Sequence, residues 1–148
     1  MGIFDFLKNK GEKLPEAKKA GLSDVERGAA IGRVVSQLGL AVEGPKVAYA
    51  NGTVTVQGTV PSQADREKVI LAVGNIEGVA AVDDRLKVVT PAAAAVMYTV
   101  QPGDSLSKIA KAHYGDAMKY PVIFEANQPM LKHPDKIYPG QVLRIPPL

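Results

Sequence analysis

The sequence predicts an α+β chain made of two small domains, one of order αββαβ and one of order βααβ. Three observations carry that prediction. The chain has 148 residues and is 46% apolar, which is material for one ordinary globular domain or two small ones. Segments of helical spacing and segments of strict alternation follow one another, punctuated by glycine, proline and capping residues. Finally, "TPAAAAV", residues 90–96, is a short, uncharged, semi-rigid linker between two such series. Each domain would have a thin core, because a unit of about 50–70 residues buries only roughly 60% of its unfolded surface. Docking or a ligand would then matter to stability.

The first segment, 1–21, places Ile3, Phe4 and Leu7 at helical spacing with Phe6 beside them. Gly11 stops the pattern, and a Lys/Glu/Pro/Ala tether follows. We expect a short N-terminal helix and tether that dock on the next domain. At one to two turns such a helix is too short for strong binding at a membrane surface.

The second segment, 22–89, opens with a helix over Val25 to Leu38, whose apolar stripe is Ala29, Ile31, Val34, Val35 and Leu38, with Gly39 as its C′ residue. "VAYANGTVTVQG" alternates around Asn51-Gly52, the pair that a type I′ hairpin turn requires because both central positions take positive φ. Ser62 caps a second helix carrying Ala64, Val69, Ile70 and Val73, with Asp65 at the third position. After "GNIEG", alternation over Arg85 to Val89 predicts a third strand.

The third segment, 97–148, starts with the strand "YTV" and turns at Pro102-Gly103. Asp104 or Ser105 caps a helix with Leu106, Ile109, Ala110 and His113 on its inner face, ended by Gly115. A second helix carries Val122, Ile123 and Ala126 and closes near Asn127. The long turn "QPMLKHPDKIYPG" leads to the strand "QVLRIP", which pairs antiparallel with the first.

Composition removes several chemistries. There is no cysteine, so disulfides, thiolate nucleophiles and Cys-type zinc sites are excluded, and two histidines are too few for most imidazole-based metal sites. The net charge of +3 gathers near the N-terminus and forms no basic stripe interleaved with aromatics, so nucleic acid is not an expected partner. "MGIFDFLKNKG" lacks the features of a secretory signal, Phe6 stands where a myristoylation motif wants Ser or Thr, and no apolar run reaches about 18 residues. We therefore expect a cytoplasmic, monomeric protein without membrane attachment.

Individual residues have plain readings. Asp83, Asp84 and Glu77 read as a solvated acidic turn, because no spaced acidic calcium loop is present. His113 reads as a packing histidine and His133 as a solvent-facing loop residue. Asn51-Gly52-Thr53 is the hairpin turn, and Ser105, with no candidate base, is a helix cap. Nothing here makes an enzyme.

"YTVQPGDSLSKIAKAHYG", "IFEANQPML" and "KIYPGQVLRIP" together resemble the LysM module over about fifty residues. "VAYANGTVTVQGTV", the helix after it and "VGNIEGVAAVDDRLKV" resemble a BON domain. With the "MGIFDFLKNKGEKL" start, this order is similar to the bacterial cytoplasmic BON-LysM potassium-binding family. The resemblance implies a K⁺ binder and sensor, with backbone carbonyls of Leu7, Lys10, Glu12, Gly74, Ile76 and Val79 as ligands, the ion ordering the BON domain and its docking on LysM. It also implies, as an alternative partner, a peptidoglycan fragment in a LysM groove formed by Gly103, Asp104, Ser105 and Leu106 with Pro129, Met130, Lys136 and Ile137. A third alternative is attachment to a phospholipid surface through the BON domain and the Phe4/Phe6 segment. The potassium reading is chemically sound, since a large monovalent cation suits a ring of neutral carbonyl dipoles, and helix C-termini supply unsatisfied carbonyls.

Overall fold

A computed structural model describes residues 2–6, 23–92 and 94–148. The first domain has β1 (Gly2–Asp5), α1 (Asp24–Gln37), β2 (Glu43–Ala50), β3 (Thr53–Ser62), α2 (Gln63–Gly74) and β4 (Ala81–Thr90). The second has β5 (Val96–Thr99), α3 (Leu106–Tyr114), a single 3-10 turn at Ala117–Lys119, α4 (Tyr120–Ala126) and β6 (Val142–Ile145). The chain is thus α+β, with αββαβ and βααβ orders as expected and one added N-terminal strand.

Local chemistry fixes most boundaries. Ser23 and Glu26 form a reciprocal capping box on α1, and Gly39 beyond its end has φ +74°. Asn51 and Gly52 have φ 49° and 82°, the conformation that joins β2 to β3 as a tight antiparallel hairpin. The Ser62 hydroxyl accepts the Asp65 N–H at 3.2 Å and starts α2. Ser105, not Asp104, caps α3, and Gly115 closes it at φ +76°.

The sheet runs β1-β4-β3-β2, with β3 and β4 parallel and connected across α2. Helices α1 and α2 bury Ala30, Ile31, Val35, Val69, Ile70 and Val73 against Val54, Val56, Val60, Val82 and Leu86. The second domain packs α3 and α4 on the β5–β6 pair around Ile109, Ile123, Leu131 and Leu143.

Six expectations are corrected. Residues 2–5 form a strand, not a helix: Phe4 pairs with Val82 on the free edge of β4, and a ladder there outcompetes a marginal one-turn helix. Leu7 lies outside the described residues. Ala29 is exposed, and the buried face of α1 is Gly28, Ala30, Ile31 and Val35, since Gly28 sits against the backbone of Ala48 and Tyr49. The third strand starts at Ala81, earlier than Arg85, so Asp83 and Asp84 are strand residues. Asp84 is fully buried: its alternation partners Val82 and Leu86 face the helices, and Asp84 with them meets Arg66 of α2 and accepts the Leu86 N–H at 3.0 Å. His113 is exposed at the end of α3, edge-on to Tyr98 with ring centroids 5.3 Å apart, while Tyr114 takes the packing role beside it. β5 also takes Val96 from the expected linker.

Helix α2 is the axis of the molecule. Its C-terminal half buries Leu71 and Ala72 as well as Val69, Ile70 and Val73, with Glu67 buried just before them. A helical stretch buried on every side lies between two layers, here the sheet of its own domain and β6 of the other.

Candidate functional site

The end of α2 brings three chain segments together. Asn75 is its C-cap, and the turn 75–80 leads into β4. Phe6, the residue after β1, donates its N–H to the Ala80 carbonyl at 2.8 Å. Its ring lies so close to Gly74 that a Cβ there would fall 2.0–2.3 Å from ring carbons, so any larger residue requires the ring to move. From the second domain, Tyr138 Oη donates to the Asn75 carbonyl at 3.4 Å.

These donors sort the carbonyls of the turn. Oxygen 75 takes the Tyr138 hydroxyl, oxygen 78 takes the Tyr49 hydroxyl at 2.8 Å, and oxygen 80 takes the Phe6 N–H. Among the described residues the Ile76 carbonyl accepts the Val79 N–H alone, at 3.1 Å, which leaves it, like oxygens 75, 78 and 80, one further lone pair. Among the described residues no hydrogen bond ends on the carbonyls of Gly74, Glu77 or Val79. Gly74, Ile76 and Val79 are buried, so these oxygens belong to a turn largely shielded from water. The helix dipole adds about half a negative charge at this end. The arrangement can hold a cation with neutral oxygens. Among the described residues no group of three or more His, Asp or Glu could hold a metal by side chains.

The sequence-derived ligand set is therefore divided. Gly74, Ile76 and Val79 share this turn, whereas Leu7, Lys10 and Glu12 lie outside the described residues.

Asn75 does a second job. Its Nδ2 donates to the Leu71 and Val142 carbonyls, both at 2.9 Å, and its Oδ1 accepts the Val142 N–H at 2.8 Å. Asn127, the C-cap of α4, treats Arg144 in the same way, giving Nδ2 to its carbonyl at 2.9 Å and taking its N–H at 2.8 Å. Two asparagine side chains thus stand in for a missing neighbour along β6. Beside them Arg144 Nε meets Glu67 at 2.8 Å, both side chains buried, and Glu67 also accepts the Ala95 N–H at 2.9 Å and the Gln63 amide at 3.0 Å. Sequence reasoning missed Asn75 and Glu67. The signal available was an acid and an amide flanking the continuous apolar run 69–73.

The expected glycan groove is partly engaged within the chain. Gly103 is exposed at φ +86°, and Asp104 accepts the Tyr98 hydroxyl at 2.5 Å and the Gln101 N–H at 2.8 Å. The Tyr98 bond above all, then that N–H, holds the Asp104 carboxyl below its usual range, and the same bond raises Tyr98. Leu106 is buried in the core, and Ser105 is spent on its cap. Across from them Lys136 is exposed, while Pro129 and Ile137 are half-buried. Met130 directs its sulfur to Asn75 Nδ2 at 3.3 Å, so this loop leans on the first domain. No helix among the described residues is long and apolar enough to cross a membrane.

Comparisons with known proteins agree with the two-domain division. The BON domain profile matches residues 23–90, and the LysM domain profile matches residues 98–146. The chain is 48% identical over 147 residues, 99% of each partner, to a protein of Escherichia coli O6:H1 (strain CFT073) named potassium binding protein Kbp. An uncharacterized protein of Deinococcus radiodurans is 58% identical over 50 residues, which is 34% of this chain and 19% of that one.

Proposed function

Because the chain belongs to the BON–LysM family that includes the potassium binding protein Kbp of Escherichia coli, we propose that it is a K⁺-binding and sensing protein of the cytoplasm. In this reading the ion is held by main-chain oxygens at the end of α2 and orders the two domains. The observation that carries it is the gathering of main-chain carbonyls with spare acceptor capacity in the turn 74–80, at the C-terminal end of α2. Among the described residues no hydrogen bond ends on oxygens 74 and 79, oxygen 76 accepts one, and Gly74, Ile76 and Val79 are buried.

Neutral oxygens suit K⁺ on energetic grounds. A carboxylate cage would favour small divalent ions, which repay their dehydration only with formal charge. Carbonyl dipoles replace the hydration shell of a large monovalent ion at lower cost. By family likeness the remaining ligands are the carbonyls of Leu7, Lys10 and Glu12. Phe6 anchors the start of that segment at Ala80 and against Gly74, which supports the assignment.

Domain ordering follows from linkage. Asn75 belongs to the turn by its backbone and to β6 by its side chain, so any ion that fixes the turn also fixes the partner of Val142. Isothermal titration with KCl and NaCl at matched ionic strength tests the proposal. We expect saturable heat with K⁺ alone, together with amide shifts at 74–79. Equal or absent heats would end it.

A further inference from the structure

Arg27, in the first turn of α1, stands against the outer side of the same turn. Its guanidinium carbon lies 5.8 Å from the centre of the Tyr49 ring, in cation–π contact. One terminal nitrogen comes so near Gly78 that a Cβ there would be 3.1 Å from it, and Gly78 has φ +98°. Tyr49, under the guanidinium, donates its hydroxyl to the Gly78 carbonyl at 2.8 Å. Arg27, Tyr49 and Gly78 thus form one packed unit bracing the turn. Among the described residues no carboxylate pairs with Arg27. Among the described residues a half-buried positive charge without a paired carboxylate therefore lies against Gly78, the chain neighbour of Val79.

Such a placement does nothing for cation affinity, since it opposes any ion in the turn. It does change which ion is bound. The repulsion from a fixed charge is proportional to the charge of the ion, so a divalent ion of the same size is penalised twice as heavily as a monovalent one. Carbonyl dipoles already disfavour a divalent ion, because their attraction only doubles with ionic charge while the dehydration cost rises more steeply, and a fixed positive charge deepens that penalty.

We infer that Arg27 is a specificity-determining residue, a charge filter that holds divalent cations of potassium's size out of the carbonyl turn. The inference rests on the K⁺ reading above. Its test is titration calorimetry of the full-length wild type, R27Q and R27K with KCl and with BaCl₂ at matched ionic strength, barium being the divalent ion closest to potassium in size. R27Q should bind K⁺ about threefold more tightly and Ba²⁺ about tenfold more tightly, because doubling an energy squares its factor. R27K should keep the wild-type ratio of the two affinities. R27M, which keeps the apolar stem over Tyr49, should behave as R27Q does and separates charge from packing. If the Ba²⁺/K⁺ ratio is unchanged in R27Q and R27M, Arg27 only packs and the inference is wrong. If the wild type itself takes up no K⁺, the binding reading falls and this one with it.

Discussion

Replacing Asn75 by alanine should uncouple the two domains. The side chain is 4% exposed and makes three hydrogen bonds at 2.8–2.9 Å, one to the Leu71 carbonyl and two to the backbone of Val142. The Leu71 carbonyl still receives the Asn75 N–H at 3.0 Å, so its loss is small. Val142 fares worse, because its N–H and C=O are the outward pair on the β6 edge that Asn75 covers. Each buried group left without a partner costs about 1–3 kcal/mol, so with two such groups N75A should lose about 2–6 kcal/mol. Urea unfolding followed by circular dichroism is the assay. Asn127→Ala is the control, since it strips the same pair of bonds from Arg144 but within the second domain. Both variants should lose stability, and only N75A should split the transition in two. A loss below about 1 kcal/mol, or identical profiles for the two variants, would show that water replaces Asn75 and that β6 does not join the domains through it.

Two further outcomes follow. Gly74→Ala places a methyl group 2.0–2.3 Å from the Phe6 ring, so it should unseat β1 and abolish K⁺ heat. In an F6A background the added stability cost of G74A should fall to below about 1 kcal/mol, and an undiminished cost in this double-mutant cycle would refute the clash. For pH, the Asp104 carboxyl is held below its ordinary 3.8, chiefly by the Tyr98 hydroxyl. A depressed folded value contributes stability that is present above about pH 4 and is lost as pH falls through the folded value. The urea midpoint should therefore drop less steeply between pH 5 and 2 in D104N than in the wild type, and equal slopes would count against the pair.

What could be read in the sequence was local chemistry. Asn51-Gly52, Ser62, Ser105, Gly39 and Gly115 act within a few residues of themselves, and each stands where its φ angle or hydroxyl is needed. What could not be read depends on partners far along the chain. β1 exists because β4 offers an unpaired edge some 80 residues away, a fact absent from "GIFDF". Asp84 looked like a surface acid until the strand was extended back to Ala81, when period-two alternation set it inward beside Val82 and Leu86 and opposite Arg66. Val69, Ile70 and Val73 revealed one face of α2, whereas Leu71, Ala72 and Glu67 make sense only once a second domain lies against the other. The cation turn has no side-chain signature at all, since its donors are main-chain oxygens. Only the family likeness of "GNIEG" pointed there.

The position of Glu67 explains why the two domains meet where they do. Arg144 is a buried cation on the last strand of a small domain with a thin core, and within that domain, among the described residues, its guanidinium meets the Ala126 carbonyl at 3.2 Å but no carboxylate. Glu67 pairs with it at 2.8 Å and also ties down Ala95, the residue just before β5, by its N–H. One carboxylate thus holds both the linker and the final strand. Removing one partner of such a pair is far costlier than never having built it, since the survivor stays buried and charged. Specific docking is thereby enforced by penalty: any other placement of β6 on α2 would bury Glu67 and Arg144 apart. On the proposed reading the ion turn lies eight residues beyond Glu67 on the same helix, at Asn75, so the fixed pair sets the register and the turn adds the part that responds to potassium.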